Sequence, residues 1–183
     1  MDLGITGRRA ILLASSRGLG RACVESIARE GVHVVLNGRT ASDVDTAVEE
    51  VRATYDVEVV GVVGDAATTD VHNALLEACP DPDIVLLNGE GPPPTPFKRL
   101  EAQALDAAFQ QNVVGPVGFL QRVVPGMIER RFGRVVAVSS AMIKTPNPAM
   151  SLSHGTRLGR VEIDQATRPI RVRPDDADRD IFL

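Results

Sequence analysis

The chain has 183 residues, 44% hydrophobic and 24% charged, enough for one well-packed domain over 1–183 and too few for two comfortable ones. A formal net charge of −4 gives no electrostatic reason to expect nucleic acid or an anionic membrane as a partner. Cys23 and Cys79 lack CxxC spacing and a histidine cluster, which excludes a disulfide framework or zinc site, and no stretch has signal-peptide or membrane-span character, so a cytoplasmic protein is expected.

The run RRAILLA (8–14) reads as a strand. From Gly18 to Glu30 the residues Leu19, Cys23 and Ile27 recur on one helical face, with Gly31 as a stop. Between strand and helix lies the glycine turn ASSRGLG (14–20). VHVVLN (32–37) is a second strand ending at Gly38, after which Ser42 is placed to cap a helix with the stripe Val44, Ala47, Val48 and Val51. VEVVGVV (57–63) repeats the strand pattern, Asp70 is placed to cap VHNALLEAC, and DIVLLN (83–88) is a fourth strand.

Near-continuous apolar strands alternating with helices imply a parallel sheet covered on both faces, that is, a doubly wound, Rossmann-like α/β fold. The prolines of GEGPPPTPFKRL (89–100) make it a stiff loop at the C-terminal end of the fourth strand, where open α/β sheets bind ligands. Helical patterns cover 100–131, with a kink expected at Gly115-Pro116, and RVVAVSS (134–140) follows as a fifth strand.

At the glycine turn, Gly18 and Gly20 let the backbone approach a pyrophosphate, and the helix points its free N–H groups and positive dipole end at it. The turn resembles that of the short-chain dehydrogenases/reductases, which runs Thr-Gly-x-x-x-Gly-x-Gly. Leu13 stands at the threonine and Ala14 at the first glycine, the added methyl being harmless where φ is negative. Cofactor contacts are then expected at Ala14, Ser16, Arg17, Gly18, Leu19 and Gly20. GDAATTD is similar to the family's segment after the third strand, which implies that Asp65, beside Ala66, binds the adenine amino group. LLNGEGPPP resembles its Asn-Asn-Ala-Gly segment, keeping Asn88 and departing at Leu87, Gly89 and Glu90; Asn88 and Gly89 are expected at the cofactor. FQQNVVGPVGFLQRVVPGMIERRFGRVVAVSS is similar to the family's fourth and fifth helices and fifth strand, with Asn112 and Ser140 in place. The resemblance runs from about residue 5 to 158.

Reduction of a carbonyl by a nicotinamide cofactor requires a hydride donor, a group polarising the carbonyl oxygen and a proton source. The family supplies the last two with Ser and Tyr-x-x-x-Lys. Here SHGTR (153–157) stands in the place of that pair, so the resemblance implies Ser140 as polariser, Ser153 as a weak proton relay, Arg157 as the cation and Asn112 as the residue holding a water or the helix backbone open. Arg157 cannot shuttle protons. His154 is a neighbouring proton carrier directed about 100° away from Ser153, Lys144 reads as a solvated charge, and Tyr55, the sole tyrosine, reads as a surface ring near the end of the second helix.

The function implied is that of an NAD(P)-dependent, 3-oxoacyl-reductase-like oxidoreductase of small carbonyl or hydroxy compounds; the alternative is a non-catalytic NADP-binding relative or an inactive truncated product. NGRT after the second strand offers no acid before Asp43 for a ribose 2′-OH, whereas Arg39 and Arg17 suit a 2′-phosphate, so NADP(H) is expected over NAD(H). Arg168-Pro169 ends the last helix, IRVRP resembles a shortened sixth strand, and 168–183 reads as an irregular tail. With the sheet ending early, a homo-oligomer, dimer or tetramer, packed through the 100–131 helices is expected; a compact monomer with its tail folded over the edge is the alternative.

Overall fold

Each β-type run becomes a strand of one parallel sheet in a computed structural model that describes residues 2–145 and 147–166. The strands are β1 (Arg9–Leu12), β2 (His33–Gly38), β3 (Val59–Val63), β4 (Ile84–Leu87) and β5 (Arg134–Ala137), in the order β3-β2-β1-β4-β5. Ile11 of β1 lies opposite Val35 on one side and Val85 on the other. Residues 168–183, including the expected shortened strand and tail, lie outside the described residues.

The double burial of β1 explains its unbroken apolar run. Successive strand residues point to opposite faces. Ala10 and Leu12 join a core with Val24 and Ala28 of α1 (Gly18–Arg29) and Val44 and Val51 of α2 (Ala41–Thr54). Ile11 and Leu13 join a second core with Val71 and Leu75 of α3 (Thr69–Ala78) and Phe119 and Val123 of α5 (Gly115–Glu129). Burying side chains of this size contributes about 1.5–3 kcal/mol each relative to exposure.

Some local expectations shift. The α1 face against the sheet is Gly20, Val24 and Ala28, with Cys23 and Ile27 at its margin and Leu19 61% exposed, because the small residues allow the helix to approach the strands closely. Thr40, not Ser42, is the N-cap residue of α2. Thr68, not Asp70, caps α3, its Oγ1 accepting from the Val71 N–H, while Asp70 sits in the first turn where its charge meets the helix dipole. Gly31 follows the α1 C-cap at φ +78°, as a stop residue should. Tyr55 is the C-cap residue of α2 and packs partly buried against the first core.

The helical pattern expected over 100–131 becomes one rod from Ala102 to Glu129, made of α4 (Ala102–Phe109), a π turn (Gln110–Val114) and α5. Its irregularity therefore lies just before the expected Gly115-Pro116 position. Gly115 is needed there because a Cβ would stand 2.6 Å from the Ala67 Cα. The last described helix, α6 (Ser151–Ala166), packs against α4 and the π turn. β5 is the edge of the sheet among the described residues, and Val136 on it is 53% exposed.

Candidate functional site

β1 lies between β2 and β4, and the chain crosses from one side of it to the other between β3 and β4, so the crevice opens at the C-terminal ends of these central strands. There the glycine turn is held by backbone and side-chain bonds. Leu13 N–H donates to the Leu86 carbonyl at 3.0 Å, and Ser15 N–H to the Asn37 carbonyl at 2.7 Å. Gly20 carries no side chain because a Cβ would stand 2.4 Å from the Ala14 oxygen. Gly18 has φ +59° and open space around it, and α1 starts without a side-chain cap, leaving its first N–H groups toward the crevice. These features fit the diphosphate of a dinucleotide.

Ala14 has φ +47°, contrary to the negative value that would make its methyl harmless. The left-handed region costs an L-residue roughly 1–2 kcal/mol, which glycine avoids. The strain is held in place: Asn88 Nδ2 donates to the Ala14 carbonyl at 2.8 Å and Asn37 Oδ1 accepts from its N–H at 3.2 Å.

Asn37 is the residue that sequence reasoning missed. It is buried, and its Nδ2 donates to the Val62 and Gly64 carbonyls at 3.0 and 3.1 Å. One amide thus ties the glycine turn to the ends of β2 and β3. Its signal was a polar side chain closing the apolar run VHVVLN.

A cleft of about 550 Å³ lies over this turn, lined by Ala14, Ser16, Arg17, Arg39, Asp65, Ala66, Asn88 and Gly89 among others. The cofactor-site expectations thus converge on one place, apart from Gly18, Leu19 and Gly20, which form the adjoining helix start. The NGRT segment has no acid before Asp43, yet the folded cleft brings carboxylates to both of its arginines. Glu90 forms an ion pair with Arg39, and Asp43 Oδ2 lies 3.5 Å from Arg17 Nη1. Folding brings in the carboxylate of Glu90 from the loop after β4, a contact invisible in local sequence.

Asp65 Oδ1 accepts from Ala67 N–H at 2.9 Å, fixing the turn after β3. His72 Nε2 bonds the Ala66 carbonyl at 2.9 Å, and its ring tilts against Phe119 at 5.1 Å. Burial pushes the His72 pKa below its usual value, with Arg122 acting in the same direction and the Ala66 bond opposing them.

The catalytic candidates sit on elements that pack together. Ser153 is 3% exposed, and its Oγ accepts from Arg157 Nε at 3.3 Å, one turn along α6. Arg157 is half-buried, and burial pushes its pKa down. Its guanidinium rests over Gly91, where a Cβ would stand 3.1 Å from Nη2. Asn112 is buried in the π turn and donates from Nδ2 to the Ala108 carbonyl at 3.0 Å. Ser140 directly precedes the short 3-10 turn Ala141–Ile143, which α6 contacts. His154 Nδ1 and Ser139 Oγ are buried without a hydrogen-bond partner.

A five-stranded doubly wound sheet with a glycine turn, a helix N-terminus and a cleft at its topological switch defines a fold of the dinucleotide-binding class. The short chain dehydrogenase family model matches residues 8–156, and the chain belongs to that family. It is 26% identical over 167 residues to the uncharacterized oxidoreductase YvaG of Bacillus subtilis, covering 91% of this chain and 63% of that protein. It is 28% identical over 150 residues to the human inactive hydroxysteroid dehydrogenase-like protein 1, covering 79% of this chain and 46% of that one. Among solved structures it is similar to the L-sorbose reductase of Gluconobacter frateurii complexed with NADPH and L-sorbose, at 25% identity and a TM-score of 0.86, covering 91% of this chain and 65% of that one. The chain therefore spans roughly half to two thirds of these relatives. Among the described residues no helix is long and apolar enough to cross a membrane.

Proposed function

We propose that the protein binds NADP(H) in preference to NAD(H) and acts as an oxidoreductase on small carbonyl or hydroxy compounds, with a serine and an arginine in place of a phenol and a lysine. The observation that carries this reading is the cleft over the glycine turn, where Arg17 and Arg39 offer guanidinium groups to a 2′-phosphate. The NADPH complex of the L-sorbose reductase supports the same choice. When bound, the nicotinamide supplies or accepts hydride.

The chain's own residues do the rest. Ser140 polarises the carbonyl oxygen, and Ser153 passes a proton through its hydroxyl. Arg157, held against Ser153, stabilises the negative charge developing on the substrate oxygen. Asn112 holds the helix backbone in its π turn. An aliphatic hydroxyl is a weak acid beside a phenol, so turnover is slow. The setting is the cytoplasm, and 1–183 acts as one domain in a homo-oligomer, dimer or tetramer, through α4, the π turn and α5, where Phe109, Val114 and Ile128 are exposed.

A second reading, an NADP(H)-binding protein without turnover, is favoured by the missing phenol and by the relative named inactive. Cofactor absorbance against a panel of carbonyl compounds, beside a thermal shift with NADPH, separates the two. Stabilisation with turnover supports the first, stabilisation without turnover the second, and no stabilisation contradicts both.

A further inference from the structure

Arg39 directly follows β2 and Glu90 lies just past β4, the two strands that flank β1. Neighbouring strands are ~4.8 Å apart, so β2 and β4 stand roughly 10 Å from each other across β1. Side chains from these two lips meet as an ion pair, and both residues line the cleft together with Ala14 and Ser16 of the glycine turn. The pair therefore bridges the mouth of the crevice above the turn that fits the diphosphate. Both side chains remain accessible, at 54% and 61% exposure, so the bridge can open without unpacking the core.

We propose that the Arg39–Glu90 ion pair is a latch across the dinucleotide crevice, in which Glu90, as the internal competitor for Arg39, lowers the affinity for both cofactors. This rests on the NADP(H) reading above. Any dinucleotide threading under the bridge separates the pair. A 2′-phosphate then takes the place of the Glu90 carboxylate on Arg39 with charge-assisted bonds, whereas a ribose carrying only a 2′-OH leaves Arg39 without an anion. Opening the latch thus weighs on both cofactors, and only the phosphorylated one regains the lost contact. The neighbouring Arg17 and Asp43 pair, at 3.5 Å, is looser and lies on one lip, between the glycine turn and α2.

The test is calorimetric titration of NADPH, NADH and 2′,5′-ADP into the wild-type chain, Glu90→Gln and Arg39→Ala, with melting temperatures as a control for folding. Exposed ion pairs are weak, so Glu90→Gln should tighten NADPH and NADH about threefold each. Arg39→Ala should move the cofactors in opposite directions: NADPH and 2′,5′-ADP weaken about tenfold or more, while NADH tightens about threefold. NADPH binding intact with NADH affinity unmoved by either substitution overturns the latch and leaves the cofactor reading standing. A wild-type chain that binds neither NADPH nor 2′,5′-ADP overturns both.

Discussion

Asn88 Nδ2 donates to the carbonyl of Ala14 at 2.8 Å, tying the end of β4 to a residue whose φ is +47°. The bond holds alanine in a conformation that favours glycine, and the turn keeps its shape at a cost in stability. Ala14→Gly removes the clash of Cβ with the backbone and should raise unfolding stability by about 1 kcal/mol, after the larger entropy of a glycine in the unfolded chain is set against it. Urea denaturation checks this; an unchanged or lower stability would mean that the strain is not there.

Asn37→Ala should be far more damaging than its place at a strand end suggests. It removes the acceptor for Ala14 N–H and the donor to two carbonyls, the buried one of Val62 and the partly buried one of Gly64. Leaving such groups unsatisfied costs roughly 1–3 kcal/mol apiece, so a loss of about 3 kcal/mol is expected together with weakened NADPH binding. A melt within a degree or two of wild type would contradict the role.

The site was legible in the sequence in proportion to how local its signals are. The order of strands and helices was readable because both faces of the sheet are covered, as the fates of Ile11 and Leu12 on opposite faces show. Gly18 and Gly20 marked the turn because their requirement is met within a few residues of chain. Asn37, and the pairing of Glu90, which the sequence showed only as a departure from the family segment, were hidden because their partners come from β3 and from the far lip of the crevice. The φ of Ala14 was equally hidden, since it depends on how the ends of β2 and β4 grip the turn.

His72 should make stability depend on pH. Its pKa is lowered in the fold by burial, so protonation favours the unfolded chain, whose histidine keeps a value near 6.5. The contribution is fully present above pH 6.5 and is lost as the pH falls below it. Melting temperature followed from pH 7.5 to 5.5 should drop more in the wild type than in His72→Gln; parallel curves would remove His72 from the account.

Restoring a phenol and a lysine tests the catalytic assignment. Ser153→Tyr with Arg157→Lys places a stronger acid and its cation on the turn where Ser153 and Arg157 now touch at 3.3 Å. Turnover should rise by tenfold or more, within the range of general acid catalysis, and Ser140→Ala should abolish the gain. Ser153 is buried, so the double variant is first checked for NADPH binding. Binding retained without any gain in turnover would favour the non-catalytic reading.

The cleft between Arg17, Arg39 and the glycine turn suits a 2′-phosphorylated dinucleotide. The most direct measurement of this fit is the pair of dissociation constants for NADPH and NADH in the wild-type chain and in Arg39→Asp, determined at one salt concentration. NADPH should bind at least tenfold tighter than NADH in the wild type, corresponding to one charge-assisted contact of about 1.5–3 kcal/mol, and that preference should be lost in Arg39→Asp. Equal affinities for the two cofactors in the wild type, or a preference that survives Arg39→Asp, would contradict the fit.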